Sequence, residues 1–170
     1  GAQQDVLPQP NPAGNTATFT SSLGDYTVLN RVTPNDVENP IQLNGSVLSY
    51  VSGVTSGSSN GGKIWFYSPS GIVVGANAYF DVGGLLLTSI SPTLNSASAN
   101  AFDADFAAVA GDGGRITISD GASINALLQN SYVALVAPRI EQAGDIRTAG
   151  SAALVAGEAV SMTMDQGLFN

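Results

Sequence analysis

The amino-acid sequence predicts an all-β chain wound as a right-handed parallel β-helix, and three observations carry that reading. Apolar residues come in runs of three to five. Each run is bounded by Gly, Asn, Asp, Pro or Ser, which end strands and make turns. The runs recur at about 20 residues, within the range that marks a solenoid. Helices need longer amphipathic stretches than any of these runs provide.

Residues 1–15 carry three of the eight prolines and no periodic pattern, so they read as an extended lead-in. A single domain is expected over 16–170. It opens with Thr16–Thr20 and Tyr26–Leu29, separated by the turn-forming Gly24-Asp25. The next runs are Ile41–Leu43, Ser46–Leu48, Ile64–Tyr67, Ile72–Val74, Tyr79–Val82 and Leu85–Leu87. Further on come Arg115–Ile118, Ser123-Ile124, Tyr132–Val136, Ile140, Ile146, Ala153–Val155 and Val160–Met162.

The recurrence is residue by residue. Leu135 in Tyr132–Ala137 is echoed by Leu154 in Ser151–Ala156, Ile124 by Ile146, and Ile64-Trp65-Phe66 by Leu85-Leu86-Leu87. One unit of this size suits one coil. The competing architecture is an antiparallel sandwich, whose strands should alternate apolar and polar residues. Leu85–Leu87 and Ala134–Ala137 do not alternate. Residues 91–110 break the pattern and read as an insertion lying outside the coils. Within it, Phe102, Phe106 and Val109 fall at i, i+4 and i+7, which predicts a short helix over Ala101–Ala110 covering one face of the solenoid.

Composition excludes several kinds of function. Net charge is −8, and the five cations, Arg31, Lys63, Arg115, Arg139 and Arg147, are scattered. Nucleic acid and anionic membrane surfaces both require clustered cations. There is no Cys for a disulfide, thiolate or zinc site, and no His, the commonest base near neutral pH. Acidic residues occur singly rather than as the close pairs that glycoside chemistry needs. Glu141 and Asp145 lie near Arg139 and Arg147 in sequence and read as a solvated corner with weak ion pairs. Asp103, Asp105 and Asp112 do not make a recognisable calcium loop. No catalytic residue, metal or cofactor is expected.

Specific residues then carry a family resemblance. Leu29-Asn30-Arg31-Val32, followed by Ile41-Gln42-Leu43-Asn44-Gly45, resembles the N-R-V and I-x-G element of the two-partner secretion domain. That domain is also called the filamentous-haemagglutinin N-terminal or haemagglutination-activity domain. Gly62–Ala76 resembles its G-x-[VI]-[WY]-[LF]-x-N-P-[NS]-G-[IV]-x-[FV]-G element. Asp81–Ser89 resembles its [ND]-V-G-G-L segment, and Tyr132–Pro138 its Y-V-A-L coil. The resemblance covers roughly residues 16–170, in order.

The resemblance implies a secreted surface protein of a Gram-negative bacterium, associated with the outer membrane and built for cell adhesion as part of an extracellular fibre. Its partner would be an outer-membrane transporter with periplasmic polypeptide-binding domains. A host or cell-surface receptor, glycan or protein, is also implied. The secretion motif carries over to Asn30, Arg31, Val32, Ser68, Pro69, Ser70 and Gly71. Where the family has Asn at the start of its N-P-N turn this chain has Ser68, a weaker side-chain cap. Fewer residues precede Asn30 than the family pattern has, so a piece of a longer protein is expected.

Two other classes of function stand beside adhesion. One is a structural subunit that self-associates by stacking its coil ends, since unpaired strand edges template pairing. The other is a carbohydrate-binding module, in which Trp65, Tyr67 and Tyr79 are the candidate surface-binding aromatics.

Overall fold

The computed structural model describes residues 15–34, 39–51, 59–94, 102–110, 112–165 and 168–169. All but Asn15 of the lead-in lies outside them. The first coil consists of β1 (Thr16–Ser21), β2 (Thr27–Arg31) and β3 (Ile41–Leu43). The second has β4 (Ser46–Val51), a short antiparallel companion β5 (Ser59–Asn60), then β6 (Lys63–Tyr67) and β7 (Ile72–Val74). The third runs through β8 (Tyr79–Asp81) and β9 (Gly84–Thr88). There the chain leaves the coil for β10 (Pro92–Leu94) and β11 (Phe102–Ala107), and it returns as β12 (Ile116–Ile118).

The fourth coil comprises β13 (Ser123–Ala126), β14 (Tyr132–Ala137) and β15 (Ile140–Gln142). The fifth supplies β16 (Asp145–Thr148) and β17 (Ser151–Ala156). After it, β18 (Ala159–Asp165) and β19 (Leu168–Phe169) lie off the coil.

Three parallel sheets form the faces of a parallel β-helix. The first face is β1-β4-β8-β13-β16, the second β2-β6-β9-β14-β17 and the third β3-β7-β12-β15. Each order is simply coil order. The register is the one the sequence repeats predict. Leu135 lies opposite Leu154, Ile124 opposite Ile146, and Ile64, Trp65 and Phe66 opposite Leu85, Leu86 and Leu87. Stacked strands lie about 4.8 Å apart, so a side chain that fits inward in one coil fits inward in the next.

The interior is one apolar column. Val47, Phe80 and Ile124 come from the first face, Ile64, Leu85, Val133 and Leu135 from the second, and Ile72, Val74, Ile116 and Ile118 from the third. The second face is buried on its outer side as well, where Trp65, Leu86, Tyr132, Ala134 and Val136 form a separate apolar cluster. A strand covered on both sides has no reason to alternate, and this explains the unbroken Leu85–Leu87 and Val133–Ala137 runs.

The cover is a fourth sheet, antiparallel and ordered β10-β11-β18-β19. Its β10–β11 half is the insertion outside the coils, but it contains no helix among the described residues. The expected helix at Ala101–Ala110 is therefore corrected to strand β11, with Ala101 outside the description. Phe-Asp-Ala-Asp-Phe-Ala also has a period of two. Ala104 and Phe106 are buried on the cluster, and Val109, which a helix would turn inward, is 57% exposed. Pairing with β18, residue for residue from Phe102↔Met164 to Ala107↔Ala159, selects the strand.

Position within the column determines what a leucine contributes. Leu87 is fully buried between coils, whereas Leu154, in the fifth coil, is 47% exposed. Leu87→Ala is expected to lower unfolding free energy by about 2–5 kcal/mol. Leu154→Ala should cost less than about 1 kcal/mol. Urea denaturation of both variants checks this, and equal losses would contradict the inward column.

Candidate functional site

The corner between the second and third faces gathers the secretion-motif residues. Asn30 and Arg31 end β2, directly opposite Phe66 and Tyr67 of the coil above. Asn30 shares the inward side with Phe66, and its Nδ2 donates to the Trp65 carbonyl at 3.1 Å. The ladder continues one residue past the strand, where Val32 N–H donates to the Tyr67 carbonyl at 2.9 Å. The turn Ser68–Gly71 follows Tyr67 immediately. The two motif elements, far apart in sequence, are thus stacked neighbours.

Backbone contacts to the coils below and above hold that turn. Gly71 N–H donates to the Ser68 carbonyl at 3.0 Å and closes it. Ser68 N–H donates to the Thr88 carbonyl and Gly114 N–H to the Pro69 carbonyl, while Ile41 N–H donates to the Gly71 carbonyl. Gly71 has φ +100°, and a Cβ there would collide with the Arg115 carbonyl. Both facts require glycine. The side-chain cap expected of Ser68 is not formed, because the Oγ atoms of Ser68 and Ser70 are buried without a protein hydrogen-bond partner. Turn closure rests on the backbone instead.

Arg31 is exposed, yet its side chain works inside the molecule. The guanidinium stands 5.4 Å from the centre of the Tyr67 ring, and Nη2 donates to the Pro92 carbonyl at 3.2 Å. Tyr67 Oη donates to Asp112 Oδ1 at 2.6 Å. Asp112 Oδ2 accepts from the Ser91 N–H at 2.8 Å and the Val109 N–H at 3.3 Å. Ser91 opens the insertion and Asp112 closes it, so one carboxylate clasps both ends of the loop. The clasp is in turn pinned to the motif corner through Tyr67 and Arg31. Thr88 Oγ1 turns the chain outward by bonding both the N–H and the carbonyl of Ile90.

Burial first, and then the Asp112 carboxylate, push the Tyr67 phenol from its ordinary 10.0 up to about 12. Burial drives Tyr132 upward as well.

The three aromatics expected at the surface are buried, which corrects that reading. Trp65, Tyr67 and Tyr79 are 5%, 7% and 8% exposed. Trp65 lies under the fourth sheet, where its Nε1 donates to Tyr132 Oη at 2.6 Å. A sugar needs an open ring face, and none of the three offers one. Glu141 pairs with Arg115 at 2.8 Å rather than with Arg139 or Arg147, and both partners are about half exposed. Such a pair contributes little.

Among the described residues no three acidic side chains converge as a metal site. Asp112, weighed in the sequence only as a calcium ligand, is the clasp. Its signal was the Gly113-Gly114 pair beside it, which repeats the Gly71 corner one coil up but is displaced by the insertion.

A protein-family model described as TPS secretion domain matches residues 12–168. No curated protein matches the chain.

The Tyr67–Asp112 bond makes stability depend on pH in a defined direction. A phenol whose pKa is raised on folding stabilises the fold below pH 10, and this contribution is lost as pH rises through about 12. Tyr67→Phe is expected to cost about 1–3 kcal/mol at neutral pH, because Asp112 loses a donor. It should also reduce the stability lost between pH 10 and 12. Urea midpoints of both proteins across that range are the measurement; an unchanged alkaline loss would show that Tyr67 does not titrate as described.

Proposed function

We propose that this chain, which belongs to the TPS secretion domain family, is the export-recognition domain of a secreted bacterial adhesin. Members of that family are substrates of two-partner secretion, so the chain has a transporter as its partner. It is a secretion domain and not a member of an enzyme family.

The transporter sits in the outer membrane of a Gram-negative bacterium and captures this domain through periplasmic polypeptide-binding domains. The folded product then remains at the cell surface or in the medium as part of an adhesive fibre. The observation that supports it is the meeting of the two motif elements at one corner, with exposed Arg31 and Val32 beside the Ser68–Gly71 turn. The interior column serves the same end, since a chain without Cys folds outside the cell with no disulfide to form.

Co-expression with and without the partner transporter tests this. The chain is expected in the medium only when the transporter is present. Asn30→Ala and Gly71→Ala should each lower the secreted amount by about tenfold or more, given strain of about 1–3 kcal/mol at Gly71. Circular dichroism of the purified variants separates lost recognition from lost folding. Secretion that is independent of the transporter would sink the export reading. Secreted protein that fails to attach to any cell surface would sink the adhesin reading alone.

A further inference from the structure

We propose that the antiparallel β10-β11-β18-β19 sheet is a strap that closes after the coils are stacked and opens without disturbing them. Two apolar clusters lie on opposite sides of the second face. Among the described side chains, the inner one contains no residue of the strap. The outer one joins Ile90, Ala104, Phe106 and Met162 to Trp65, Leu86, Tyr132, Ala134 and Val136. Separating the strap therefore breaks the outer cluster and the Arg31–Pro92 hydrogen bond, and leaves the inward column and every parallel ladder intact. Local opening of this kind follows the boundaries of such independent units.

Chain order adds a direction. The strap closes through the β11–β18 ladder, with Ala108 N–H also donating to the Glu158 carbonyl at 2.9 Å. Strands β12 to β17 all lie between the two partners in sequence. Until those strands are stacked, joining β11 to β18 closes a long loop at an entropic cost; afterwards the coils hold the two ends close. While the strap is open, Trp65, Leu86, Tyr132, Ala134 and Val136 form an uncovered apolar stripe along coils two to four. In a chain emerging amino-end first, that stripe stays uncovered until residue 165 has followed. This last step rests on the export reading, whereas the independent opening does not.

Hydrogen exchange of the full chain, in urea below its unfolding transition, is the test. Amides of β11 and β18 are expected to exchange about tenfold or more faster than those of β9 and β14. Met162→Ala should accelerate β11 and β18 by a further tenfold or so while leaving β9 and β14 within about twofold. Exchange of all four strands together, with one common factor for the variant, would overturn the proposal.

A second variant covers a failure of the first to fold. Ala104 and Met162 are directly opposed, and the chain has no other cysteine to interfere. In Ala104→Cys/Met162→Cys, oxidation should slow β11 exchange about tenfold and reduce acrylamide quenching of Trp65, the single tryptophan. Identical exchange and quenching in the oxidised and reduced forms would overturn it. All of these readouts are taken without a transporter, so their failure is distinct from failure of the export reading.

Discussion

Parallel backbone ladders between successive coils are the constraint on which the other features depend. They repeat at about 4.8 Å, so every inward site is flanked by equivalent sites above and below. A polar group placed there would be buried without water, at a cost of about 1–3 kcal/mol unless it finds a partner. Val47, Phe80 and Ile124 on one face, and Ile72 and Ile116 on another, satisfy this with apolar stacks alone. The corners obey the same spacing. Where Gly71 and Gly114 stack, backbone lies on backbone and no Cβ fits.

The second face shows how one local choice propagates. Its outward residues, Trp65, Leu86 and Val136, are as apolar as its inward ones, so the face requires a cover. The cover is built from two segments far apart in sequence. Holding the first segment in place then requires the Asp112 clasp and its tie through Tyr67 to Arg31. A residue of the secretion motif therefore has an intramolecular task that does not follow from the motif itself.

Legibility in the sequence divides along the same line. The coils were readable because like residues recur at like places, Leu135 with Leu154 and Ile124 with Ile146, and stacking is a nearest-neighbour matter. The motif corner was readable as two separate elements, but its closure by backbone rather than by Ser68 was not. Residues Phe102 to Ala107 satisfy both a helical and a strand period, and only distant β18 decides between them. For the same reason Trp65 read as a surface ring. Its cover comes from two segments, about forty and about a hundred positions later, and no local pattern records that. Asp112 was hidden because a clasp is defined by what it accepts from Ser91 and Tyr67, not by its neighbours in the chain.

The β11–β18 ladder also has a mechanical meaning. Tension arriving from beyond residue 165 reaches β18 before it reaches β17. A bare stack of coils would peel from its end one ladder at a time, like a zip, with only a few hydrogen bonds resisting at any moment. Here the pull meets the β11–β18 ladder first, so the strap yields before any parallel ladder between coils is loaded. The molecule has a built-in strain relief, comparable to a cable clamped upstream of its connector.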